Sequence, residues 1–177
     1  FSVTGASSPL GAHIPSFGQS ATPTATIAPT PTAYQRPDLQ AGMIFPQYGA
    51  DAYSNTDANW STGLHEIDQQ TGARWVEMTI NFTQDYYDSS SIQVAARTPT
   101  PESMREGILL AHKLGKKVFM TPVISLLNNS FANEKWSGDI TCSTQTACDT
   151  WFANYFQVYK PYLAVAQQTG VEQVAIG

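Results

Sequence analysis

The stretch LGKKVFMTPV at residues 114–123 sets the architecture of this chain. It has the pattern of a helix end, a glycine stop and a short apolar strand with β-branched and aromatic residues, closed by a proline. The pattern recurs as QQTGARWVEMTI at residues 69–80 and as QQTGVEQVAIG at residues 167–177. Three such units in one direction predict parallel strands with helical crossovers, because parallel neighbours need connections of about a dozen residues or more. Ligand-binding residues are then expected beyond the carboxyl ends of the strands.

The pattern predicts four parallel strands and three helices. Residues 40–45 form the first apolar run, and residues 75–81 alternate between apolar and polar side chains. An alternating strand between helical crossovers fits a barrel better than an open sheet, because one face of each barrel strand meets the helices and the other meets a packed interior. The predicted fold is therefore α/β, a parallel βαβαβαβ unit that corresponds to half of a (β/α)8 TIM-type barrel.

The helices are predicted at about residues 59–71, 100–114 and 147–168. The last carries an aromatic stripe at helical spacing, which favours core packing over a ligand site. Pro161 is expected to kink this helix or restart it near Tyr159. Long exit loops at residues 82–98 and 124–146 follow the second and third strands, and loops of this length inside a compact domain are usually functional.

Residues 1–38 differ from the rest of the chain in composition. Their centre is the run ATPTATIAPTPT at residues 21–32, which cannot bury enough apolar surface to offset its ordering entropy. We expect a disordered Thr/Pro-rich leader or an extended linker over 1–38, and a folded domain over 39–177. Such a linker suggests an extracellular or cell-surface protein.

Composition excludes several classes of protein. The 177 residues fit one domain, and 42% of them are hydrophobic whereas only 13% are charged. A net charge of −5 argues against a nucleic-acid partner, because phosphate binding needs clustered Lys and Arg. No run approaches the roughly 20 apolar residues of a membrane span, and the first residues lack the pattern of a signal peptide.

Cys142 and Cys148 are the two cysteines of the chain. No histidine lies near them, so the usual four ligands of a zinc site cannot be found. We predict a local disulfide that fastens the third exit loop, with two free loop thiols as the alternative. No metal and no cofactor are expected.

Few residues have the pattern of a catalytic site. His13, His65 and His112 are isolated, and Glu77 and Glu134 are interpreted as structural and solvated residues respectively. Aromatic side chains beside amides and hydroxyls are typical of a sugar site, because sugar rings stack on aromatic faces while hydroxyls pair with amides. The exit loops and strand ends carry such residues: Gln47, Tyr48, Asn81, Gln84, Tyr86, Tyr87, Thr121 and Trp136.

Several segments together resemble the amino-terminal half of glycoside hydrolases similar to family 113 β-mannanases, over residues 41–177. They are Trp60, the stretch 75–84, GILLAHKLGKKV at 107–118, Thr121-Pro122, WSGDI at 136–140, and WFANY at 151–155 through AIG at 175–177. The resemblance implies a (β/α)8 barrel and a retaining mechanism. It also implies that a strand ending in AIG continues into Thr-Glu or Asn-Glu, where the glutamate is the general acid/base.

That glutamate is expected just after Gly177, and the nucleophile on a later strand, so no catalytic residue is expected within this chain. Six residues are predicted to contact substrate: Gln47, Tyr48, Asn81, Gln84, Thr121 and Trp136. Trp136 has an alternative role as an inward anchor of its loop. Family members often have Lys before the proline matched by Pro122, where this chain has Thr121, so the sugar contacts next to the scissile bond are expected to differ.

The sequence therefore predicts the amino-terminal part of a secreted retaining glycoside hydrolase that acts on a β-linked oligo- or polysaccharide such as mannan. The chain alone is expected to be inactive because both catalytic glutamates are expected outside it. It is expected to self-associate because a barrel cut after four strands leaves two open sheet edges. Two alternatives remain: a non-catalytic carbohydrate-binding or cell-wall-associated module, and a small open-sheet α/β domain of unknown activity.

Overall fold

The computed structural model describes residues 40–128 and 135–177. The predicted leader and Glu134 therefore lie outside the described residues. The elements follow in the order β1 (Gly42–Ile44), α1 (Ala58–Gln70), β2 (Trp75–Gln84), β3 (Ile92–Val94), α2 (Pro101–Lys113), β4 (Lys117–Leu126), a 3-10 turn (Ser137–Asp139), α3 (Gln145–Thr169) and β5 (Gln173–Val174).

The parallel sheet is confirmed, with strand order β1-β2-β4-β5. Glu77 of β2 lies between Ile44 of β1 and Phe119 of β4, which fixes the register. Gln40 precedes β1 and Gln173 lies in β5, at opposite edges of the sheet, yet their side chains form a hydrogen bond of 2.9 Å. The sheet must curve strongly to bring its two edges together, as a partial barrel does.

β3 is the element that the sequence pattern missed. It pairs antiparallel with the end of β2, from Phe82 opposite Val94 to Gln84 opposite Ile92. β4 occupies the other edge of β2 along its whole length, so β3 lies on the same edge as β1, beyond the end of that strand. The predicted exit loop at residues 82–98 is therefore partly a β-hairpin.

The two faces of β2 have different surroundings. Val76, Met78, Ile80 and Phe82 point to the helices and are fully buried in one core with side chains of α1, α2 and α3. Residues of the other parity, from Glu77 to Thr83, face the concave side of the sheet. The alternation in the sequence thus predicted both faces correctly.

Glycines end the helices of all three repeats. Gly72, Gly115 and Gly170 have φ values of 64°, 71° and 74°, the left-handed conformation that glycine adopts without strain. The helices begin at side-chain caps, among them the predicted Thr100, whose hydroxyl accepts from the Ser103 N–H at 3.1 Å.

The prolines break less structure than expected. α3 continues through Pro161 from Gln145 to Thr169, so the predicted restart near Tyr159 is wrong. β4 likewise continues through Pro122 to Leu126. Alternate residues of a strand direct their backbone groups to the same side. The Met120 carbonyl accepts a bond from the Ala175 N–H after β5, so the N–H that Pro122 lacks would also point toward β5. Pairing between β4 and β5 is seen only at residues 119 and 120 of β4, so no pairing with β2 is lost at Pro122.

The amino ends of the strands are fastened by charged groups. Lys116 is 7% exposed, and its Nζ contacts Asp68 at 2.7 Å and donates to the carbonyl of Ala73 at 2.8 Å. Glu172 accepts from the Val118 N–H at 2.8 Å and lies 3.2 Å from His112 Nε2. These polar groups all have partners within the protein.

Candidate functional site

Two polar side-chain atoms that lie beyond the level at which β1 and β5 end are buried and have no hydrogen-bond partner among the described residues. They are Nδ2 of Asn81 on β2 and Oγ1 of Thr121 on β4. Thr121 lies opposite Thr79, and Asn81 lies opposite Val123, so the two side chains are diagonal neighbours on the concave face. A buried polar atom without a hydrogen bond costs about 1–3 kcal/mol. Such a pair on adjacent rigid strands is what a site awaiting a polar ligand provides.

Side chains replace a strand partner along the edge of β2 beyond the end of β1. The hydroxyl of Tyr53 accepts from the Thr79 N–H at 3.0 Å and donates to the Thr79 carbonyl at 3.2 Å. Two residues further on, the Thr98 hydroxyl donates to the Asn81 carbonyl. The backbone of Thr79 and Asn81 is therefore held in place, and with it the position from which the Asn81 side chain extends.

Tyr53 also connects β2 to the exit loop of β1. Its hydroxyl accepts from the N–H of Gln47 at 3.1 Å, and its ring is fully buried, edge-on to Trp60 with centroids 4.8 Å apart. Burial raises the pKa of Tyr53, although its hydrogen bonds oppose the shift, so the hydroxyl stays protonated at neutral pH. Gln47 is thereby held close to Thr79.

Tyr48 follows Gln47 in the same loop and is 58% exposed. The guanidinium carbon of Arg97 lies 5.9 Å from the centroid of its ring, a cation–π contact. The Gly49 N–H donates to the Arg97 carbonyl at 3.1 Å, so this loop is tied to the segment that follows β3. Tyr48 presents an open aromatic face at the carboxyl end of the sheet.

Gln84 is placed differently from the other predicted contacts. It is fully buried, its Nε2 donates to the Tyr86 carbonyl at 2.7 Å, and its Oε1 accepts from the Trp151 indole at 2.8 Å. The buried side chain has no exposed atom with which to touch a ligand. It has the same parity as Phe82 and so points to the helices.

Trp136 stands in the exit loop of β4 and is 68% exposed, so it does not fold inward as an anchor. Its backbone N–H donates to Asp139 Oδ2 at 2.9 Å, and Ser137 donates to the carbonyl of Ile124 at the end of β4. A Cβ added at Gly138 would lie 2.4 Å from Cζ2 of the indole. The ring therefore rests on a glycine, with much of its surface open.

The predicted disulfide between Cys142 and Cys148 is present. It closes the end of this same loop against the first turn of α3, where Thr144 caps the helix by accepting from the Ala147 N–H at 3.1 Å. The Thr141 N–H donates to the Tyr87 carbonyl at 3.0 Å, which joins the loop to the β2–β3 hairpin.

Two cavities lie elsewhere on the sheet. One of about 630 Å³ lies between the open edge of β1 and α1, with Phe45, Gln47 and Ile67 among its lining residues. The other, of about 270 Å³, occupies the amino half of the concave face beside Glu77 and Phe119. Both lie where further strands and helices would pack in a closed barrel, whereas Asn81 and Thr121 lie further toward the carboxyl ends.

The described carboxylates with shifted pKa values lie away from Asn81 and Thr121. The pKa of Glu102 is lowered by its hydrogen bonds with Arg105 on the surface of α2. Burial alone would raise the pKa of Glu172, but bonds from Val118 and His112 lower it overall. Within residues 40–128 and 135–177, no group of three or more His, Cys, Asp or Glu side chains could hold a metal ion. None of the described helices is long and apolar enough to cross a membrane.

Asn81 and Thr121 were predicted from the sequence as substrate contacts, and that role stays a prediction. Tyr53 and Thr98, which bind the backbone of β2 at Thr79 and Asn81, were not predicted. Tyr53 and Thr98 belong to loops, and their hydroxyls act on a strand 26 and 17 residues away. Local periodicity carries no signal for such contacts. The sequence could have shown one more feature of the site. Extending the strand alternation three residues beyond Asn81 places Gln84 on the face of β2 that meets the helices.

Comparisons of the sequence and of the structure with known proteins point to the same protein family. The family model for Glycoside Hydrolase Family 113 matches residues 46–177. A complex of a GH113 β-1,4-mannanase has a TM-score of 0.64 and 22% identity, over 77% of this chain and 44% of that one. The GH113 β-mannanase AaManA from Alicyclobacillus acidocaldarius, in complex with ManMIm, has a TM-score of 0.65 and 23% identity over the same shares. The chain spans less than half the length of these structures, and no curated protein matches it.

Proposed function

This chain belongs to glycoside hydrolase family 113, and from that membership we propose that it forms the amino-terminal part of a secreted, retaining glycoside hydrolase. The proposed substrate is a β-linked polysaccharide such as mannan, which is supported by the β-mannanases among its structural neighbours. The observation that carries the proposal is the pair of unpartnered atoms on Asn81 and Thr121 at the carboxyl half of a partial barrel.

In this proposal Asn81 and Thr121 bind sugar hydroxyls. The Nδ2 of Asn81 donates to a sugar oxygen, and the Thr121 hydroxyl donates or accepts according to the hydroxyl it meets. Both are held by regular strands, which limits their movement when a ligand binds. Gln84 acts indirectly, by fastening Trp151 and the Tyr86 backbone beneath the site.

Tyr48 and Trp136 supply aromatic faces on which sugar rings stack, at the exits of β1 and β4 respectively. Their exposures of 58% and 68% are large for aromatic side chains. Gln47 adds an amide near the exit of β1. The extended arrangement of these exits favours a substrate of several sugar units over a single monosaccharide.

A retaining glycosidase needs two carboxyl groups about 5–5.5 Å apart across the scissile bond. We place the general acid/base two residues after Gly177, in the Thr-Glu or Asn-Glu that is expected to follow, where the chain leaves β5 beside the carboxyl half of β4. The nucleophile is placed on a later strand. The residues of this chain then bind and orient the sugar, while the two glutamates break and hydrolyse the glycosidic bond.

Secretion is supported by the Cys142–Cys148 bond, since structural disulfides persist in oxidising compartments. Self-association of the chain alone is supported by exposed apolar side chains at both edges of the sheet. Ile44 at the β1 edge is 65% exposed, and Ile176, two residues after β5, is 84% exposed. A second chain would cover both.

The test compares this chain with one extended to the length of its structural neighbours, on mannan, glucan and xylan oligosaccharides. We expect turnover, with retention of anomeric configuration, from the extended chain alone. Light scattering should show a monomer for the extended chain and larger species for residues 1–177. Sugar binding without turnover by the extended chain would instead support a carbohydrate-binding module, and turnover by residues 1–177 would place the catalytic groups elsewhere.

The sugar contacts are tested by Thr121→Val in the extended chain. The Thr121 hydroxyl has no hydrogen-bond partner within residues 40–128 and 135–177, so we expect the free energy of unfolding not to fall and the KM for oligosaccharides to rise. Thr83→Val is the matched control, because Thr83 lies on the same face but its hydroxyl contacts the Gln93 carbonyl, at 3.5 Å. Equal effects of the two changes on KM would contradict the assignment.

A further inference from the structure

We propose that Tyr159 is a positioning residue, whose hydroxyl fixes the direction in which the chain leaves β5 and so orients the residues that follow Gly177. The inference rests on the proposed function, in which the general acid/base glutamate comes two residues after Gly177. It assigns a role in the reaction to a side chain of α3 that does not itself touch substrate.

The hydrogen-bond ladder between β4 and β5 stops early. Its last backbone bond runs from the Ala175 N–H to the Met120 carbonyl, at 2.9 Å. In a parallel ladder the next donor to β5 would be the N–H two residues beyond Met120. That position is Pro122, which has no N–H. The Ala175 carbonyl is left without its partner in β4.

Tyr159 supplies the missing donor. Its hydroxyl donates to the Ala175 carbonyl at 2.9 Å, and its side chain is almost fully buried, with the residue 2% exposed. The ring packs edge-on against Phe82, with centroids 6.2 Å apart. Burial raises the pKa of Tyr159 well above its ordinary value, so the hydroxyl remains a donor at any pH at which the protein would work.

A second tyrosine continues the arrangement one helical turn earlier. Tyr155 donates to the Ile176 carbonyl at 3.1 Å, and its ring lies 5.6 Å from that of Tyr159 and 5.4 Å from that of Trp151. Trp151 in turn donates to Gln84 at the end of β2. Side chains on one face of α3 therefore form hydrogen bonds with residues at the carboxyl ends of both β2 and β5.

The two tyrosine hydroxyls would set the position and direction of the acid/base residue. Beyond Ala175 no backbone ladder is seen to fix the strand, so two tyrosine hydroxyls set the orientation of the last peptide groups before Gly177. A displacement of about 1 Å at a catalytic group can lower a rate by about 100-fold. Loss of the Tyr159 hydroxyl should therefore act on the chemical step rather than on substrate binding.

The experiment uses Tyr159→Phe in the extended, active protein, which removes one hydroxyl and keeps the ring. We expect kcat to fall at least about tenfold while KM changes less than about twofold. The alkaline limb of the kcat pH profile should also shift, because a displaced general acid has a different environment.

Tyr162→Phe is the matched control. Tyr162 lies on the same helix, is 2% exposed and packs on the same Phe82 ring, but its hydroxyl donates to the Pro99 carbonyl at 2.7 Å. It should lose stability to a similar degree and keep its kcat and pH profile. If the two variants have the same kcat and the same pH profile, Tyr159 is only structural and the proposal is overturned.

A separate measurement distinguishes this proposal from the proposed function. If the extended wild-type protein shows no turnover, the proposed function fails, and fixing of the exit is tested by amide hydrogen exchange at residues 176 and 177. Faster exchange in Tyr159→Phe but not in Tyr162→Phe supports control of the exit by Tyr159. Equal exchange in both variants overturns it.

Discussion

Buried polar groups near the amino ends of the strands have hydrogen-bond partners, whereas two of those further along the strands do not. At the amino ends, Lys116 and Glu172 each bind two partners within the protein. Further along the strands, at the seventh residue of β2 and the fifth of β4, Asn81 and Thr121 each have a buried atom with no hydrogen-bond partner among the described residues. The same sheet therefore contains a region with its hydrogen bonds complete and a region with bonds left open.

This difference separates what stabilises the fold from what the fold is used for. Unsatisfied buried groups are rare in folded proteins because each one lowers the free energy of unfolding. Among the described residues, one such side-chain atom, Nε1 of Trp60, lies on α1, whereas Nδ2 of Asn81 and Oγ1 of Thr121 lie on the concave face, beyond the ends of β1 and β5 and toward the side on which parallel α/β folds bind ligands. Substitutions at the amino ends should thus change stability, and substitutions at the open positions should change binding.

The largest effect is expected for Lys116→Met. The change leaves the Ala73 carbonyl without its donor and Asp68 without its cation, so the free energy of unfolding should fall by about 2–4 kcal/mol. Urea denaturation measures the loss. The neighbouring Lys117→Met is the control, because Lys117 is exposed and lies 5.4 Å from the Trp75 ring centroid, a contact worth about 0.5–1 kcal/mol. Similar losses for both lysines would contradict the comparison.

The disulfide gives the next effect. Replacement of both Cys142 and Cys148 by Ser should lower the free energy of unfolding by about 2 kcal/mol, as for a small closed loop. The change should be felt at the carboxyl end, as altered fluorescence of Trp136. Thiol labelling of the unfolded protein should find no thiol before reduction and two after it. Two reactive thiols before reduction would show that the bond does not form.

A pair of threonines tests the open positions directly. Thr98→Val removes a hydroxyl that donates to the Asn81 carbonyl and accepts from the Ala95 N–H, so it should cost about 1–3 kcal/mol. Thr121→Val removes a buried hydroxyl that has no hydrogen-bond partner among the described residues, so the free energy of unfolding should rise by about 1–3 kcal/mol. Thermal denaturation of the two variants gives the answer. A large loss for Thr121→Val would mean that the hydroxyl has a partner within the protein.

The smallest effect is a pH dependence at the amino ends. The pKa of Glu172 is lowered on folding, so its contribution is present above the unfolded value near 4.5 and is lost as the pH falls through the folded value. The stability difference between wild type and Glu172→Gln should therefore shrink as the pH is lowered below about 4.5. Denaturation at a series of pH values measures it. A difference independent of pH would exclude this role for Glu172.

Much of the fold could be predicted because its signals are local. The glycines at residues 72, 115 and 170 mark helix ends through their local conformation alone. The alternation over residues 75–81 assigns both faces of β2. β3 could not be predicted in this way. Three residues are too short for periodicity, and their strand conformation depends on pairing with the end of β2.

The candidate site was predictable only in part. Asn81 and Thr121 follow from strand parity, whereas Tyr53 and Tyr159 act through hydroxyls on distant backbone groups, which no local pattern reveals. The effect of the two prolines also depends on contacts that are distant in the sequence, so the predicted ends at Pro122 and Pro161 could not be checked from the local pattern. Pro122 is tolerated inside a strand because pairing with β5 does not reach it, and Pro161 inside a helix because α3 packs against α2 and the core.

The hydroxyl of Tyr53 has a consequence for protein engineering. It binds both Thr79 on β2 and the N–H of Gln47, so the segment from Gln47 to Tyr53 is closed at its base. Residues 48, 50 and 51 are exposed, whereas residue 52 is buried. A library that randomises residues 48, 50 and 51 would reshape one wall of the site and leave the sheet untouched. Gly49, with φ of 124°, would be kept.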